Sequence, residues 1–318
     1  MPAPLTRPRA TAIGFVAVLL WALLALLTVG SSPTPPLLLN TICFTIGGVI
    51  GLIWVQATNG WRALARVPLH VYVFGTVGLF GYHALYFSAL RAAPAAEAGL
   101  IAYLWPLLIV LFSGLLPGER LRAGHFLGAL LGFVGAACII TGGGVGFQAQ
   151  YMPGYGLAFL CAVFWSSYSV GSRVLGAAPT ATVAVFCLLS AAASGGLHLI
   201  FEETIWPAGA LGWGAALMLG LGPVGLAFYV WDIGVKRGDI QMLGTSSYAA
   251  PLLSTLILVV AGIADPSWAL ALAALLITGG AVLAARASAS EPTSEAAVVA
   301  SDPVSPQPAP PVSPQSGR

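Results

Sequence analysis

The fold is decided by YFSALRAAPAAEAGLIAYLWP at residues 86–106, which returns as WDIGVKRGDIQMLGTSSYAAP at residues 231–251. Both versions carry a basic residue at the sixth position and a tyrosine three residues before a final proline, at an offset of 145 residues. FVAVLLW, which ends at Trp21, and FLCAVFW, which ends at Trp165, repeat at an offset of 144. Matching offsets at two distant points predict an internal duplication.

Hydrophobic segments long enough to cross a bilayer run through both copies. The 318-residue chain is 58% hydrophobic and 7% charged, whereas about 25% of residues in soluble domains are charged, so the solvent is predicted to be lipid. A spanning helix needs about 20 apolar residues, and prolines, glycines and charges divide the chain into ten such segments. We place them at residues 10–29, 35–56, 68–90, 95–115, 122–142, 153–174, 178–200, 209–235, 239–263 and 266–286.

Each copy therefore contains five spans, and an odd number places the second copy upside down in the membrane. The predicted fold class is an all-α membrane protein with ten transmembrane helices in two inverted five-helix repeats. The predicted domains are a cytoplasmic N-terminus at 1–9, the first repeat at 10–142, the second repeat at 153–286 and a Pro- and Ser-rich disordered cytoplasmic tail at 287–318.

Basic residues give the predicted direction of the spans, because Lys and Arg in short loops stay on the cytoplasmic side. With both termini in the cytoplasm, every basic residue before the tail except Arg91 falls on that side. The predicted arrangement is a multi-pass membrane protein with both termini in the cytoplasm. Tryptophans near the span ends are expected at headgroup level; these are Trp54, Trp61, Trp206, Trp213 and Trp268.

Composition also excludes other classes of function. A net charge of +2 without a basic stripe excludes a nucleic-acid partner. The four cysteines lie in apolar runs without CxxC spacing, which favours packing over disulfides or metal binding. We predict no metal site and no cofactor. An intramembrane enzyme is disfavoured, because the sequence lacks a nucleophile paired with a base and lacks a motif such as HExxH.

Three motifs resemble a known family: SALRAAPAAEAGLIAYLWP, LLPGER at residues 115–120 and GALLGFVGAACI at residues 128–139. Together they are similar to EamA-type members of the drug/metabolite transporter superfamily over residues 10–286. Ile263, Ala264 and Asp265 depart from the Gly-Glu that second repeats of that family usually carry. Within the superfamily the chain is most similar to the bacterial YddG-type aromatic amino-acid exporters. This resemblance implies a location in the bacterial inner membrane and export of aromatic amino acids from the cytoplasm.

Aromatic residues at mid-span indicate the substrate site, which inverted repeats place between the halves near the midplane. A buried tyrosine hydroxyl or indole N–H needs a partner in lipid, so rings concentrated at depth predict a ring-lined cavity. Packing by large side chains is the alternative. Repeat pairing sets Phe228 and Trp231 opposite His83 and Tyr86, and two serines are available for a polar end. The predicted substrate-binding residues are Trp21, Tyr82, His83, Tyr86, Tyr103, Trp165, Phe228, Trp231, Ser246, Ser247 and Tyr248.

Two mid-span prolines, Pro106 and Pro251, are predicted hinges, because proline cannot donate to the carbonyl four residues earlier. The freed carbonyls of Ala102 and Ser247 are candidate acceptors for a substrate ammonium, and ordinary kinks are the alternative. Trp105 is left out of the predicted site, because on an ideal helix it points about 160° away from the tyrosine two residues before it.

Charged side chains are rare at depth. Asp232 and Lys236 are four residues apart, a spacing that predicts a structural salt bridge. Glu119 is expected in a cytoplasmic charge cluster with its basic neighbours. His83 is the titratable side chain predicted on the cavity face, where its charge would change near physiological pH; a neutral, hydrogen-bonded ring is the alternative.

The predicted function is export of amino acids, aromatic and other large apolar ones, by alternating access around a midplane aromatic cavity. The expected partners are a small-molecule substrate and the bilayer, and a monomer fits. Export of hydrophobic drugs is the nearest alternative, although the first span lacks an embedded carboxylate for proton exchange. A sugar-phosphate carrier is disfavoured, since no basic residue lies mid-span. Proton coupling and facilitated diffusion both stay open.

Overall fold

The structure is a computed structural model that describes residues 5–142, 146–262 and 265–289. Within these ranges it has no strand and has ten helices long and apolar enough to cross a membrane. Their ends lie within four residues of the predicted ends, and the predicted number is confirmed. They are α1 (Arg7–Gly30), α2 (Pro36–Ala57), α3 (Leu69–Ala92), α4 (Ala95–Ser113), α5 (Ala123–Ile140), α6 (Ala149–Val174), α7 (Thr182–Phe201), α8 (Gly209–Arg237), α9 (Ile240–Val260) and α10 (Trp268–Ala289).

Four of these helices are interrupted near their middle. Proline favours the first turn of a helix and lacks an N–H for its interior, and the second segments of α4 and α9 each begin within two residues before a proline, Pro106 or Pro251. A π-helical stretch, Gly222–Leu226, interrupts α8 where prolines and glycines accumulate. The segments are Arg7–Trp21 and Leu24–Gly30 in α1, Ala95–Ala102 and Trp105–Ser113 in α4, Gly209–Leu221 and Ala227–Arg237 in α8, and Ile240–Ser246 and Ala249–Val260 in α9.

Helices pair across the two halves in a pattern that reflects the inversion. α5 packs along α10, α2 along α7 and α4 along α9, so each of these helices meets its own repeat equivalent. α3 packs along α6, and α1 packs along α8. Because α8 is the repeat equivalent of α3 and α1 is that of α6, the repeat relation converts one of these pairs into the other. A pseudo-two-fold axis in the membrane plane produces this pattern. The ten helices therefore form two inverted five-helix repeats, as predicted.

Small residues allow the closest helix pairs to approach, as is common where helices pack in lipid. A Cβ on Gly128 of α5 would lie 2.5 Å from the carbonyl oxygen of Gly280 on α10. A Cβ on Gly14 of α1 would lie 2.8 Å from the Cα of Gly234 on α8. At both crossings the backbones themselves are in contact, so a side chain would push the helices apart.

The two faces of the helix bundle are distinguished by their ion pairs. The face that we call the terminal face contains the start of α1 and the end of α10, where Arg7 contacts Glu119 at 3.3 Å and Arg122 donates to the carbonyl of Ala287 at 3.0 Å. The opposite face, which we call the distal face, contains the Arg91–Glu202 pair at 3.2 Å. A short helix, Trp61–Ala65, connects α2 to α3 at the terminal face.

Some predictions fall at the ends of the described ranges. Residues 287–289 of the predicted tail are helical, because α10 continues to Ala289. The remaining tail residues, 290–318, lie outside the described residues, as do Ile263 and Ala264 of the departure from the family motif.

Candidate substrate-binding site

Four tryptophans from four helices meet in the middle of the bundle, and we call them the tryptophan cluster: Trp21, Trp105, Trp165 and Trp231. The ring centroid of Trp21 lies 5.9 Å from that of Trp105, 5.8 Å from that of Trp165 and 5.1 Å from that of Trp231. Trp21 and Trp105 come from the first repeat, and Trp165 and Trp231 come from the second. Aromatic pairs at these spacings attract each other through their ring edges and faces.

The cluster sits where helices are interrupted. Trp21 is the last residue before the break in α1, and Trp105 is the first residue after the break in α4. The expectation that Trp105 and Tyr103 point apart is wrong, because their ring centroids lie 6.4 Å from each other. That expectation assumed a continuous helix, and the break after Ala102 changes the rotation of the following segment. Pro106 was the sequence signal that could have placed Trp105 in the cluster.

Hydrogen bonds hold these rings in place. The indole N–H of Trp21 donates to the carbonyl of Pro223 at 3.1 Å, within the π-helical stretch of α8. The indole N–H of Trp231 donates to the Ser169 hydroxyl at 3.1 Å. A second α6 serine, Ser166, donates to the carbonyl of Trp105 at 2.9 Å. Buried indole groups need such partners in a membrane interior.

A second group of rings lies against the tryptophan cluster. Tyr82 of α3 lies 5.4 Å from Trp165 and stacks on Tyr86 at 6.1 Å. Tyr103, in the break of α4, lies 6.4 Å from Trp105. These three tyrosines are half-buried although they lie at the level of the helix breaks, and their hydroxyls have no hydrogen-bond partner among the described residues. We infer that they border an accessible space beside the cluster.

His83 joins this group and makes one backbone contact. Its Nδ1 lies 2.8 Å from the carbonyl oxygen of Leu79, and a carbonyl can only accept, so Nδ1 carries the proton of the neutral ring and Nε2 is an acceptor. The His83 ring lies 5.0 Å from Phe44 and 6.2 Å from Phe228. Phe44 was missed by the sequence analysis, since a phenylalanine in the middle of an apolar span gives no signal that separates it from packing.

The repeat pairing of rings is found in part. Phe228 lies opposite His83 as expected, but Trp231 does not pair with Tyr86. Its ring instead contacts the other three members of the tryptophan cluster, including Trp105 at 6.0 Å. The inverted repeat predicts which helices meet, whereas the rotation of each interrupted segment decides which side chains touch.

Tyr248 lies in a different layer from the other predicted rings. It is fully buried beside Phe133, at 6.3 Å, in the region where α4, α5, α9 and α10 pack. Its hydroxyl oxygen accepts from the backbone N–H of Leu107 at 3.1 Å. This bond satisfies a backbone donor at the start of the second α4 segment, where no carbonyl of the preceding turn is available. Tyr248 thus stabilises the break in α4.

The two predicted serines are bonded locally. The hydroxyl groups of Ser246 and Ser247 donate to the carbonyl of Leu243 at 3.2 Å and 2.7 Å. The Ser247 carbonyl, expected to be freed by Pro251, accepts from the N–H of Ala250 at 3.1 Å. That expectation is wrong, because the chain tightens into a three-residue turn at the break and uses this carbonyl.

Within the described residues, the ring contacts and hydrogen bonds of the ring-lined region involve no charged side chain. The nearest acid in the sequence, Asp232 beside Trp231, is 1% exposed and contacts Lys236 at 2.9 Å, as expected. Lys236 also donates to the carbonyl of Ala178 at 3.0 Å. The positive charge of Lys236 is therefore neutralised by Asp232. No group of three or more His, Cys, Asp or Glu side chains within the described ranges is placed to hold a metal ion.

Four charged residues join the two halves at the terminal face, and we call them the terminal ion cluster: Arg7, Glu119, Arg173 and Asp239. Glu119 contacts Arg7 at 3.3 Å and Arg173 at 2.8 Å, and Arg7 contacts Asp239 at 3.6 Å. Glu119 was expected in a charge cluster with its basic sequence neighbours, but the arginines that it contacts are distant in sequence. This cluster and the Gly14–Gly234 crossing hold the two repeats in contact near the terminal face.

Known proteins resemble this chain over most of its length. The model of the family described as "EamA-like transporter family" matches twice, at residues 9–141 and 152–286. A protein named aromatic amino acid exporter YddG from Ancylobacter novellus is 55% identical over 282 residues, which cover 88% of this chain and 98% of that protein. The protein of the same name from Escherichia coli K12 is 27% identical over 296 residues, 88% of this chain and 97% of that protein.

A solved structure and a second kind of exporter are also similar to this chain. A solved crystal structure with 55% sequence identity superimposes with a TM-score of 0.85 and covers 89% of this chain and 99% of that chain. A protein named pseudopaline exporter CntI from Pseudomonas aeruginosa is 30% identical over 172 residues, 54% of this chain and 59% of that protein.

Proposed function

This chain belongs to the EamA-like transporter family and is a multi-pass membrane transporter, and on that premise we propose that it exports aromatic and other large apolar amino acids. The observation that carries the proposal is the tryptophan cluster, to which both repeats contribute rings. Planar or apolar side chains stack on such rings. Relatives that match nearly full length are named as exporters of aromatic amino acids, which supports the same substrate class here.

The polar groups beside the rings fit the other end of an amino acid. A zwitterion carries one positive and one negative group and no net charge, which matches a site without charged side chains. His83 offers an acceptor at Nε2 for the ammonium group. The hydroxyls of Tyr82, Tyr86 and Tyr103 offer donors for the carboxylate. We propose that the substrate is surrounded by Phe44, Trp105 and those predicted residues that lie in the ring-lined region, which are Trp21, Tyr82, His83, Tyr86, Tyr103, Trp165, Phe228 and Trp231.

The proposed direction follows from the basic residues. We propose that the terminal face, which carries most of the basic residues, lies on the cytoplasmic side of a bacterial inner membrane. Both termini are then in the cytoplasm. The terminal ion cluster then holds the cytoplasmic side closed in this conformation. Alternating access requires the halves to separate there, with the breaks at Pro106 and Pro251 as proposed hinges. The repeats at 10–142 and 153–286 contribute equivalent helices to this movement, and a monomer is sufficient for it.

We expect the purified protein in liposomes to transport labelled phenylalanine, tyrosine and tryptophan faster than empty liposomes do. Lysine and glutamate should move at least about tenfold more slowly, because an unpaired charge in a site without a counter-charge costs several kcal/mol. Initial rates across an amino-acid panel, with and without an imposed pH difference, measure this and separate proton coupling from facilitated diffusion. Rates equal to those of empty liposomes for every amino acid would refute the proposal.

Neutralising Glu119 should open the terminal face. Glu119→Gln weakens contacts to both Arg7 and Arg173, and their partly buried setting makes the loss about 1 to 2 kcal/mol, a shift of roughly fivefold to thirtyfold in the conformational ratio. Spin labels on cysteines at Leu121 and Val174, with the native cysteines replaced, should report a longer distance in this variant. Glu203→Gln is the control, since Glu203 is exposed and lies at the distal face. An unchanged distance distribution in Glu119→Gln argues against this gate.

A further inference from the structure

An apolar groove runs along the outer surface of the bundle between α3 and α6, away from the tryptophan cluster. Its walls include Leu69, Val73 and Val77 on α3 and Phe164 and Ser167 on α6. The three α3 side chains are 76%, 55% and 49% exposed. Since these helices cross the membrane, the groove faces lipid. It extends over about nine residues of α3, or about 13 Å at 1.5 Å per residue.

The groove ends in a second recess at the terminal face, which contains the side chain of Arg66. His70 lines both the groove and this recess, so the two are continuous. The recess is also lined by Arg66 before α3 and by Ala178 and Pro179 after α6. Arg66 is exposed, and within the described residues it has no ion-pair partner.

Neighbouring residues place the recess at headgroup depth. The short helix before it carries Trp61, 47% exposed, and a further arginine, Arg62, which also has no ion-pair partner in the described part of the chain. Exposed tryptophans of membrane proteins prefer the interface between hydrocarbon and water. Unpaired arginines at that level attract anionic headgroups and present a fork of donors to phosphate.

We propose that this groove and recess form a binding site for one anionic phospholipid, with an acyl chain between α3 and α6 and the phosphate at Arg66. The elongated apolar wall fits an acyl chain, and two unpaired arginines at its end complement a negative headgroup. The lipid would contact both helices that carry the rings Tyr82 and Trp165. The site does not depend on which substrate the transporter carries.

Native mass spectrometry of delipidated protein tests the proposal. Titration with phosphatidylglycerol should leave one lipid bound per chain, and phosphatidylcholine with the same acyl chains should bind at least about fivefold more weakly, because its headgroup has no net charge. Arg66→Gln, alone and combined with Arg62→Gln, should progressively remove this preference. Val77→Trp should fill the groove and weaken binding of both lipids.

Two matched variants control for position. Arg9→Gln removes an exposed arginine from the same face, and Val282→Trp enlarges a lipid-facing valine of α10 that is 45% exposed. Both should bind lipid as the wild type does, and all variants should melt as the wild type does in the absence of lipid. Three outcomes would overturn the proposal. Equal binding of the two lipids would indicate unselective annular lipid, and an equal loss in Arg9→Gln would indicate diffuse charge attraction. Full competition by glycerol phosphate alone would indicate a site for free phosphate.

Discussion

Replacing Trp165 with alanine should reduce transport of aromatic amino acids by roughly thirtyfold. Trp165 is 3% exposed, and its ring contacts Trp21 at 5.8 Å, Tyr82 at 5.4 Å and Phe228 at 5.8 Å, so it links the tryptophan cluster to the rings on α3. Truncating a central aromatic residue of a binding site typically costs about 2 kcal/mol or more, which corresponds to that factor. The measurement is the initial rate in liposomes, normalised to folded protein.

Three comparisons separate a binding defect from misfolding. Trp165→Phe keeps an aromatic ring and should recover most of the rate. Trp206→Ala removes a tryptophan that is 56% exposed and stacks on Trp213, and it should transport within about twofold of the wild type, as surface substitutions change little. Trp21→Ala should be impaired as Trp165→Ala is. Wild-type rates in both Trp21→Ala and Trp165→Ala would remove the tryptophan cluster from the mechanism.

Adding a side chain at Gly280 should destabilise the protein strongly. A Cβ at this position would collide with the carbonyl oxygen of Gly128, so Gly280→Val forces α5 and α10 apart. Overpacking typically costs about 1 to 3 kcal/mol, and more where backbone must move. We expect a melting temperature several degrees lower, measured by size-exclusion chromatography after heating.

The neighbouring glycine provides the matched control. A Cβ on Gly279 meets no atom within 4 Å, so Gly279→Val should melt close to the wild type. Helix propensity changes in the same way in both variants, which leaves the α5–α10 contact as the difference between them. Equal melting temperatures for Gly279→Val and Gly280→Val would show that this crossing does not limit stability.

Part of the candidate site followed from the sequence. Trp21, Trp165 and Trp231 were selected because they lie deep in apolar spans, and the structure brings their rings together. Trp105 and Phe44 were missed, and Tyr248, Ser246 and Ser247 lie in local hydrogen bonds instead of among those rings. Whether any of these residues binds substrate stays a prediction that the transport assays test.

The terminal ion cluster shows most clearly what the sequence could not predict. Glu119 and Arg173 are both recognisable as charges near span ends, yet their contact joins residues from opposite halves of the chain. A charge next to other charges in the sequence suggests a local pair. The pair that forms depends on how the halves are placed against each other.

The sequence by itself determined the ten spans, their duplication and their inversion. Span length follows from bilayer thickness, and an odd number of spans per copy reverses the second copy, so both are properties of local hydrophobicity and order along the chain. Only the tertiary structure decided the rotation of the segments after each helix break, and with it which rings meet around Trp21. That rotation depends on packing between helices distant in sequence, which no local pattern records.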